Sequence, residues 1–183
     1  MIVFDLDYCL WTPEMYTLNE KPSIPKLNTN GLVIGMQVPQ GPTVSLFPGA
    51  RKVLEHLHSE RETTYKDVKL ALASSSEEPT FSVSCLEIEI VEGCSMRSLF
   101  NDASLRQIGR RGNLSSNKIT HFTQLQKATG VDLSHSLFFD DCNWGDHCAV
   151  VANEFNVVTQ KTPNGLQWKE FTAALAKFAA CRS

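Results

Sequence analysis

Two short apolar runs that stop on paired carboxylates constrain this chain more than any other feature. Residues 1–4 read MIVF and run into Asp5-Leu6-Asp7; residues 137–139 read LFF and run into Asp140-Asp141. A third run, VKLALAS, ends at Ser74 and opens into SSEEP. Such runs are too short for core helices and show no alternation of apolar and polar residues, so they predict strands buried on both faces, the kind found in parallel sheets.

The segments between them carry helical spacing. Val53, Leu54 and Leu57 predict a helix from about Ala50 to His58. Ile119, Phe122, Leu125 and Ala128 predict one over Lys118–Thr129, with Gly130 as its stop. The turn Ser74–Pro79 opens another helix, and a helix over 144–154, a short strand over 156–158 and a helix over 165–180 follow. Alternating strands and helices predict an α/β fold: a three-layer, Rossmann-like open parallel sheet with helices on both faces. Residues 12–48 hold six of the eight prolines and only two strand-like pieces, 31–38 and 44–47. They predict a small β-hairpin flap inserted into a single domain spanning 1–183, in place of a large cap. Residues 86–117 carry no clear pattern.

Composition narrows the function classes. With 42% hydrophobic and 20% charged residues the chain has the makings of a core, which sets disorder aside. A formal net charge of −3 is not the footprint of a nucleic-acid binder. No apolar run approaches a membrane span, and the N-terminus lacks the basic start of a secretory signal, so the expectation is a soluble, cytoplasmic, monomeric protein. The six cysteines form no CxxC pair and are expected to be free thiols.

In an open parallel sheet, ligands gather beyond the carboxyl ends of the strands, where Asp5, Asp7, Ser74, Asp140 and Asp141 are expected to meet. Carboxylates crowded there repel, by roughly 1 kcal/mol per pair at 4 Å in water and about 4 kcal/mol at an effective dielectric of 20. A hard cation bound by oxygen ligands relieves this, and Mg2+ also leaves positions for phosphate and water. With a phosphoryl group beside it, one carboxylate can attack phosphorus, another can move a proton, and a hydroxyl and an ammonium can hold oxygens.

The stretches VFDLDYCLW, LASSSEEP, NKITHF and LFFDD resemble, in that order, the haloacid dehalogenase superfamily of phosphatases, and more narrowly its magnesium-dependent phosphatase-1 branch. The resemblance implies a phosphomonoester hydrolase with Asp5 as nucleophile and Asp7 as general acid and then base. It implies Ser74 and Lys118 as catalytic and phosphate-holding groups, and Asp5, Asp7 (through its backbone carbonyl), Asp140 and Asp141 around the metal. Ser75 and Trp11 are further candidates for substrate contact, Trp11 by stacking at the mouth of the site. Cys9 stands where many relatives carry Thr, and Ser75 where close relatives carry Arg. The implied substrates are small sugar phosphates or phosphotyrosine. His121 reads as a structural histidine, Arg110-Arg111 as solvated charge, and the C-x5-C around His147 lacks a zinc-knuckle spacing.

Two rivals share the residues. A receiver-like phosphoacceptor domain also combines Asp, Ser or Thr and Lys on a parallel sheet, but there the Lys comes near the end, whereas Lys118 precedes the last acidic pair. A non-catalytic module that binds magnesium or a phosphorylated partner would keep the fold without turnover.

Overall fold

Strand β1 (Ile2–Phe4) is buried along its whole length, as apolar side chains on both faces require. The computed structural model describes residues 1–181. After β1 the chain turns and builds an antiparallel flap from β2 (Trp11–Thr12), β3 (Ile24–Leu27), β4 (Val33–Gln37) and β5 (Thr43–Leu46), ordered β2-β5-β4-β3. Then follow α1 (Pro48–Ser59), β6 (Leu70–Ser74) and α2 (Pro79–Cys85). The hairpin β7 (Glu89–Val91) and β8 (Cys94–Ser95) leads to α3 (Met96–Leu99) and β9 (Arg106–Ile108). The chain closes with α4 (Ile119–Thr129), β10 (Leu137–Asp140), α5 (His147–Phe155), β11 (Val158–Lys161) and α6 (Trp168–Ala180).

The main sheet is parallel throughout, in the order β11-β10-β1-β6-β9. Its side chains divide by parity. Ile2, Phe4, Leu72 and Phe139 pack with Val53 and Leu57 of α1 and Phe171 of α6. Val3, Ala71, Ala73 and Phe138 pack with Phe122 and Leu125 of α4 and Val151 of α5. The sheet is therefore covered on both faces, as the uninterrupted apolar runs require. The chain runs from β1 to β6 and β9 on one side and returns to β10 and β11 on the other, so strand order reverses beside β1 and a crevice opens beyond its carboxyl end. No helix of the described residues is long and apolar enough to cross a membrane.

Several boundaries differ from the sequence expectation, each for a local reason. The insertion is a four-stranded sheet among the described residues, not a single hairpin, because the proline-rich stretch Ile24–Leu27 pairs with Val33–Gln37 as an edge strand. The helix expected over 144–154 starts at His147, since the Asp146 side chain accepts from the Ala149 amide at 3.0 Å and caps it. Asn156, in the left-handed conformation, ends that helix, so the next strand is Val158–Lys161 and not 156–158. The last helix starts at Trp168, where Gln167 and Glu170 form a reciprocal capping box, and not at Gly165. Lys118 stands outside α4 with φ 66°, as its cap.

The start of α1 is pressed against the approach to α6. A Cβ on Gly49 would fall against the Leu166 carbonyl oxygen and 2.8 Å from Gln167 Cα, both backbone atoms with little room to yield. Gly49→Ala is expected to destabilise the protein by about 1–3 kcal/mol, although Ala is the better helix former by roughly 1 kcal/mol. Urea unfolding followed by circular dichroism checks this, and a raised midpoint would contradict the packing argument.

Candidate active site

The site is built from the carboxyl ends of three neighbouring strands. β1 delivers Asp5, whose amide donates to the Phe139 carbonyl at 2.9 Å and so fixes it beside β10. β10 ends in Asp140 and Asp141, and β6 ends in Ser74. Lys118 reaches in from the N-terminal side of α4, with its ammonium 2.7 Å from Asp5 Oδ1 and 2.5 Å from Asp140 Oδ2. All three side chains are almost fully buried, Lys118 being 1% exposed.

The two acids of the 140–141 pair have different surroundings. Asp140 is enclosed: Oδ2 meets Lys118, with His147 Nδ1 at 3.4 Å, and Oδ1 accepts from the Cys142 amide at 2.8 Å. Asp141 lines the cleft, and its Oδ2 accepts from the Asn143 amide at 3.0 Å. Asp5, Asp140 and Asp141 offer carboxylate oxygens that lie within 4.8 Å of one another, all buried. Three carboxylates against one ammonium leave two negative charges over, and the donors are all oxygen. That set fits a hard divalent cation. The Asp7 carboxylate is outside this cluster among the described residues, so the structure gives its side chain a different place from the other acids.

Asp7 is brought round by a turn in which the Leu10 and Trp11 amides both donate to the Leu6 carbonyl and Tyr8 adopts φ 56°. Its Oδ1 accepts from Trp11 Nε1 at 2.7 Å and its Oδ2 from the Met15 amide at 3.1 Å. Asp7 thus faces the same cleft as Asp5 while the flap grips its carboxylate. Trp11 does not stand at the mouth as expected. Strand β2 pairs with β5 and turns the ring under the flap, where it is fully buried and serves Asp7, not an incoming ligand.

Burial and charge set the proton affinities. Burial pushes Asp7 up to about 7, with Asp5 adding repulsion and the Trp11 hydrogen bond opposing. Burial, then Asp5 and Asp140, push Asp141 up to about 7, and Asp5 is likewise raised, chiefly by burial. Burial would raise Asp140 too, but Lys118 and His147 hold it well below the usual carboxylate range. For Lys118, burial would lower the affinity, and Asp140 and Asp5 outweigh it. A site with this excess of acid is suited to take a further cation.

The cleft has a volume of about 550 Å³, and Ser74, Ser75 and Lys118 also line it. His121 is fully buried, with Nε2 3.2 Å from the Ser74 carbonyl and 2.8 Å from that of Gly109, which marks Nε2 as the donor and the ring as structural. Arg110 pairs with Glu77 at the rim. Glu14, Tyr16 and Trp144 also line the cleft without having been singled out for it, because they come from the flap and from the loop after β10, whose placement no periodicity encodes.

The acid phosphatase family profile matches residues 1–181, nearly the whole chain. The chain belongs to the acid phosphatase family. Human magnesium-dependent phosphatase 1 is 29% identical to it over 184 residues, covering all of this chain and 89% of the human protein. For this phosphatase the acidic cluster at the sheet's carboxyl edge is therefore where a phosphate ester and its metal are to be sought.

The raised acids carry a prediction about the metal-free phosphatase. Asp7 and Asp141 bind protons more tightly folded, at about 7, than unfolded, near 3.8, so their stabilising contribution is full below pH 3.8 and is lost as pH rises through about 7. Each shift corresponds to at most about 4 kcal/mol. His121 acts in the opposite sense: burial and then Lys118 hold it at about 4, so its contribution is full above 6.5 and is lost as pH falls toward 4. One histidine does not offset two carboxylates. The melting temperature in chelator is expected to fall between pH 5 and pH 8, and magnesium chloride to raise it more at pH 8, where protons no longer compete for the carboxylates. Equal stabilisation by magnesium at both pH values would contradict this.

Proposed function

We propose that this phosphatase hydrolyses phosphate monoesters through a covalent aspartyl-phosphate on Asp5, with Asp7 as the proton carrier and Mg2+ as cofactor. The observation that carries the reading is the Lys118 ammonium held between Asp5 and Asp140 at the floor of a cleft onto which Asp5, Asp7 and Asp141 open. Its magnesium is supported by the two uncompensated negative charges and by the name of the human relative.

Asp5 is positioned to attack. Its backbone is fixed to β10, and Lys118 orients its Oδ1 and offers positive charge where the phosphoryl oxygens gather. As the new bond from the Asp5 carboxylate to phosphorus forms, the bond from phosphorus to the ester oxygen breaks, and that oxygen takes the proton of Asp7. A carboxyl that titrates at about 7 is suited to give this proton and then to take one from a water. That water attacks phosphorus, releases inorganic phosphate and restores the Asp5 carboxylate. Ser74 supplies a hydroxyl for a phosphoryl oxygen, and Ser75, half-exposed on the same wall, is a further contact. Asp5, Asp141 and the Asp7 backbone carbonyl would hold magnesium, with Asp140 behind them, and the ion would draw charge from the phosphoryl oxygens. The substrate is a phosphorylated small molecule or a phosphotyrosine side chain, and every group assigned here comes from one chain.

Release of inorganic phosphate from p-nitrophenyl phosphate tests the proposal. Native protein is expected to turn over with magnesium and not with chelator, and Asp5→Asn to lose turnover. Asp7→Asn is expected to lose about 10²–10⁴-fold. Magnesium-dependent turnover that survives in Asp5→Asn would overturn the assignment of the nucleophile.

A further inference from the structure

The cleft has two unlike walls above its acidic floor. One is polar, from Ser75 and Asn117 to the Arg110–Glu77 ion pair. The other is made by two aromatic side chains from distant segments: Tyr16, next to the flap, and Trp144, in the loop after β10. Their rings meet edge to face, with centroids 5.7 Å apart and planes at 87°. Trp144 is 74% exposed and Tyr16 50%, which for side chains of this size is a large apolar surface left facing water.

Glu14 explains why that surface has a fixed shape. Its side chain is buried, and its Oε1 accepts from Trp144 Nε1 at 3.3 Å. The same carboxylate also pushes the Tyr16 phenol up. One acid thus takes up the Trp144 N–H, sits beside the Tyr16 hydroxyl and ties the flap to the metal-side loop. The ring bodies remain as π surface, with the indole donor already engaged. Exposed aromatic area that is held in place, beside a reactive floor, is what a leaving group with a flat apolar face can use.

We infer that Trp144 and Tyr16, aligned by Glu14, form a leaving-group subsite that favours phosphate monoesters of aryl alcohols over those of polyhydroxylated alkyl alcohols. This rests on the phosphatase reading for turnover, but the subsite itself is a matter of binding. Stacking on one ring is worth about three- to tenfold in affinity. Among the described residues lining the rim, the arginine that could welcome a second phosphate, Arg110, is already engaged by Glu77.

Phenylphosphonate and methylphosphonate, whose carbon–phosphorus bonds do not hydrolyse by this route, separate binding from chemistry. Titrated calorimetrically into magnesium-loaded protein, phenylphosphonate is expected to bind at least threefold more tightly. Trp144→Ala is expected to bring that ratio close to one, and Trp144→Phe, which keeps a ring, to restore it in part. A ratio near one in the native protein, or one that is the same in Trp144→Ala, would overturn the subsite. In parallel, KM is expected to be lower for phenyl phosphate than for glucose 6-phosphate, with the gap narrowing in Trp144→Ala; the reverse order would also overturn it. If neither ester is turned over, the phosphatase reading fails, while the phosphonate ratio still decides for or against the aromatic wall.

Discussion

The ammonium of Lys118, between Asp5 and Asp140, is the contact on which the rest of the site depends. Burying a charge costs several kcal/mol unless it is paired and hydrogen-bonded, and here two carboxylates and one ammonium share that cost in a space with almost no exposure. The arrangement draws together β1, β10 and the start of α4, which are distant in sequence. It also forces the backbone: Lys118 is in the left-handed conformation, as are Tyr8 after Asp7 and Cys142 after Asp141. Outside glycine that conformation costs on the order of 1–3 kcal/mol per residue; among the described residues three of the four such positions flank the cleft, the fourth being Asn156 at the end of α5.

The flap is bound into the same logic. Asp7 takes hydrogen bonds from Trp11 and Met15, so the insertion that covers the site also sets the orientation of this acid. Glu14, one residue before Met15, reaches the opposite rim through Trp144. A cap anchored at both points is part of the reactive geometry, and its sequence is under tighter physical constraint than its proline-rich composition suggests.

The strands that end in carboxylates were legible in the sequence, because an unbroken apolar run has few other places to go and an acid at its end must sit at the sheet's edge. Asp5, Asp140, Asp141 and the strand-ending Ser74 follow from that, whereas Lys118 comes from the resemblance, and Asp5, Asp141, Ser74 and Lys118 line one cleft with Asp140 enclosed behind them. Strand β9, Arg106–Ile108, was not legible: as an edge strand of half-buried residues it needs no apolar run. Trp11 misled for a related reason. Position next to the DxD placed it near the mouth, whereas its pairing with Leu46 across the flap, a contact at long sequence separation, decides that its ring points inward. The aromatic wall escaped for the same cause, since Tyr16 and Trp144 meet only once the flap has folded over the loop after β10.

His121 shows how closely the charge of the site is set. It lies one turn into α4 from Lys118 and packs behind Ser74, with Nε2 3.2 Å from the Ser74 carbonyl. Burial and the neighbouring ammonium keep it neutral down to about pH 4, and its Nε2 proton is spent between two backbone carbonyls. The permanent positive charge supplied to the three clustered carboxylates is thus that of Lys118, with His147 beside Asp140 at 3.4 Å. A second buried ammonium would weaken the negative potential that draws a divalent ion, and without Lys118 the Asp5 carboxylate would lose its ion-pair partner. With one, the deficit equals the charge of a divalent cation, and a phosphate dianion can then approach a floor that no longer repels it.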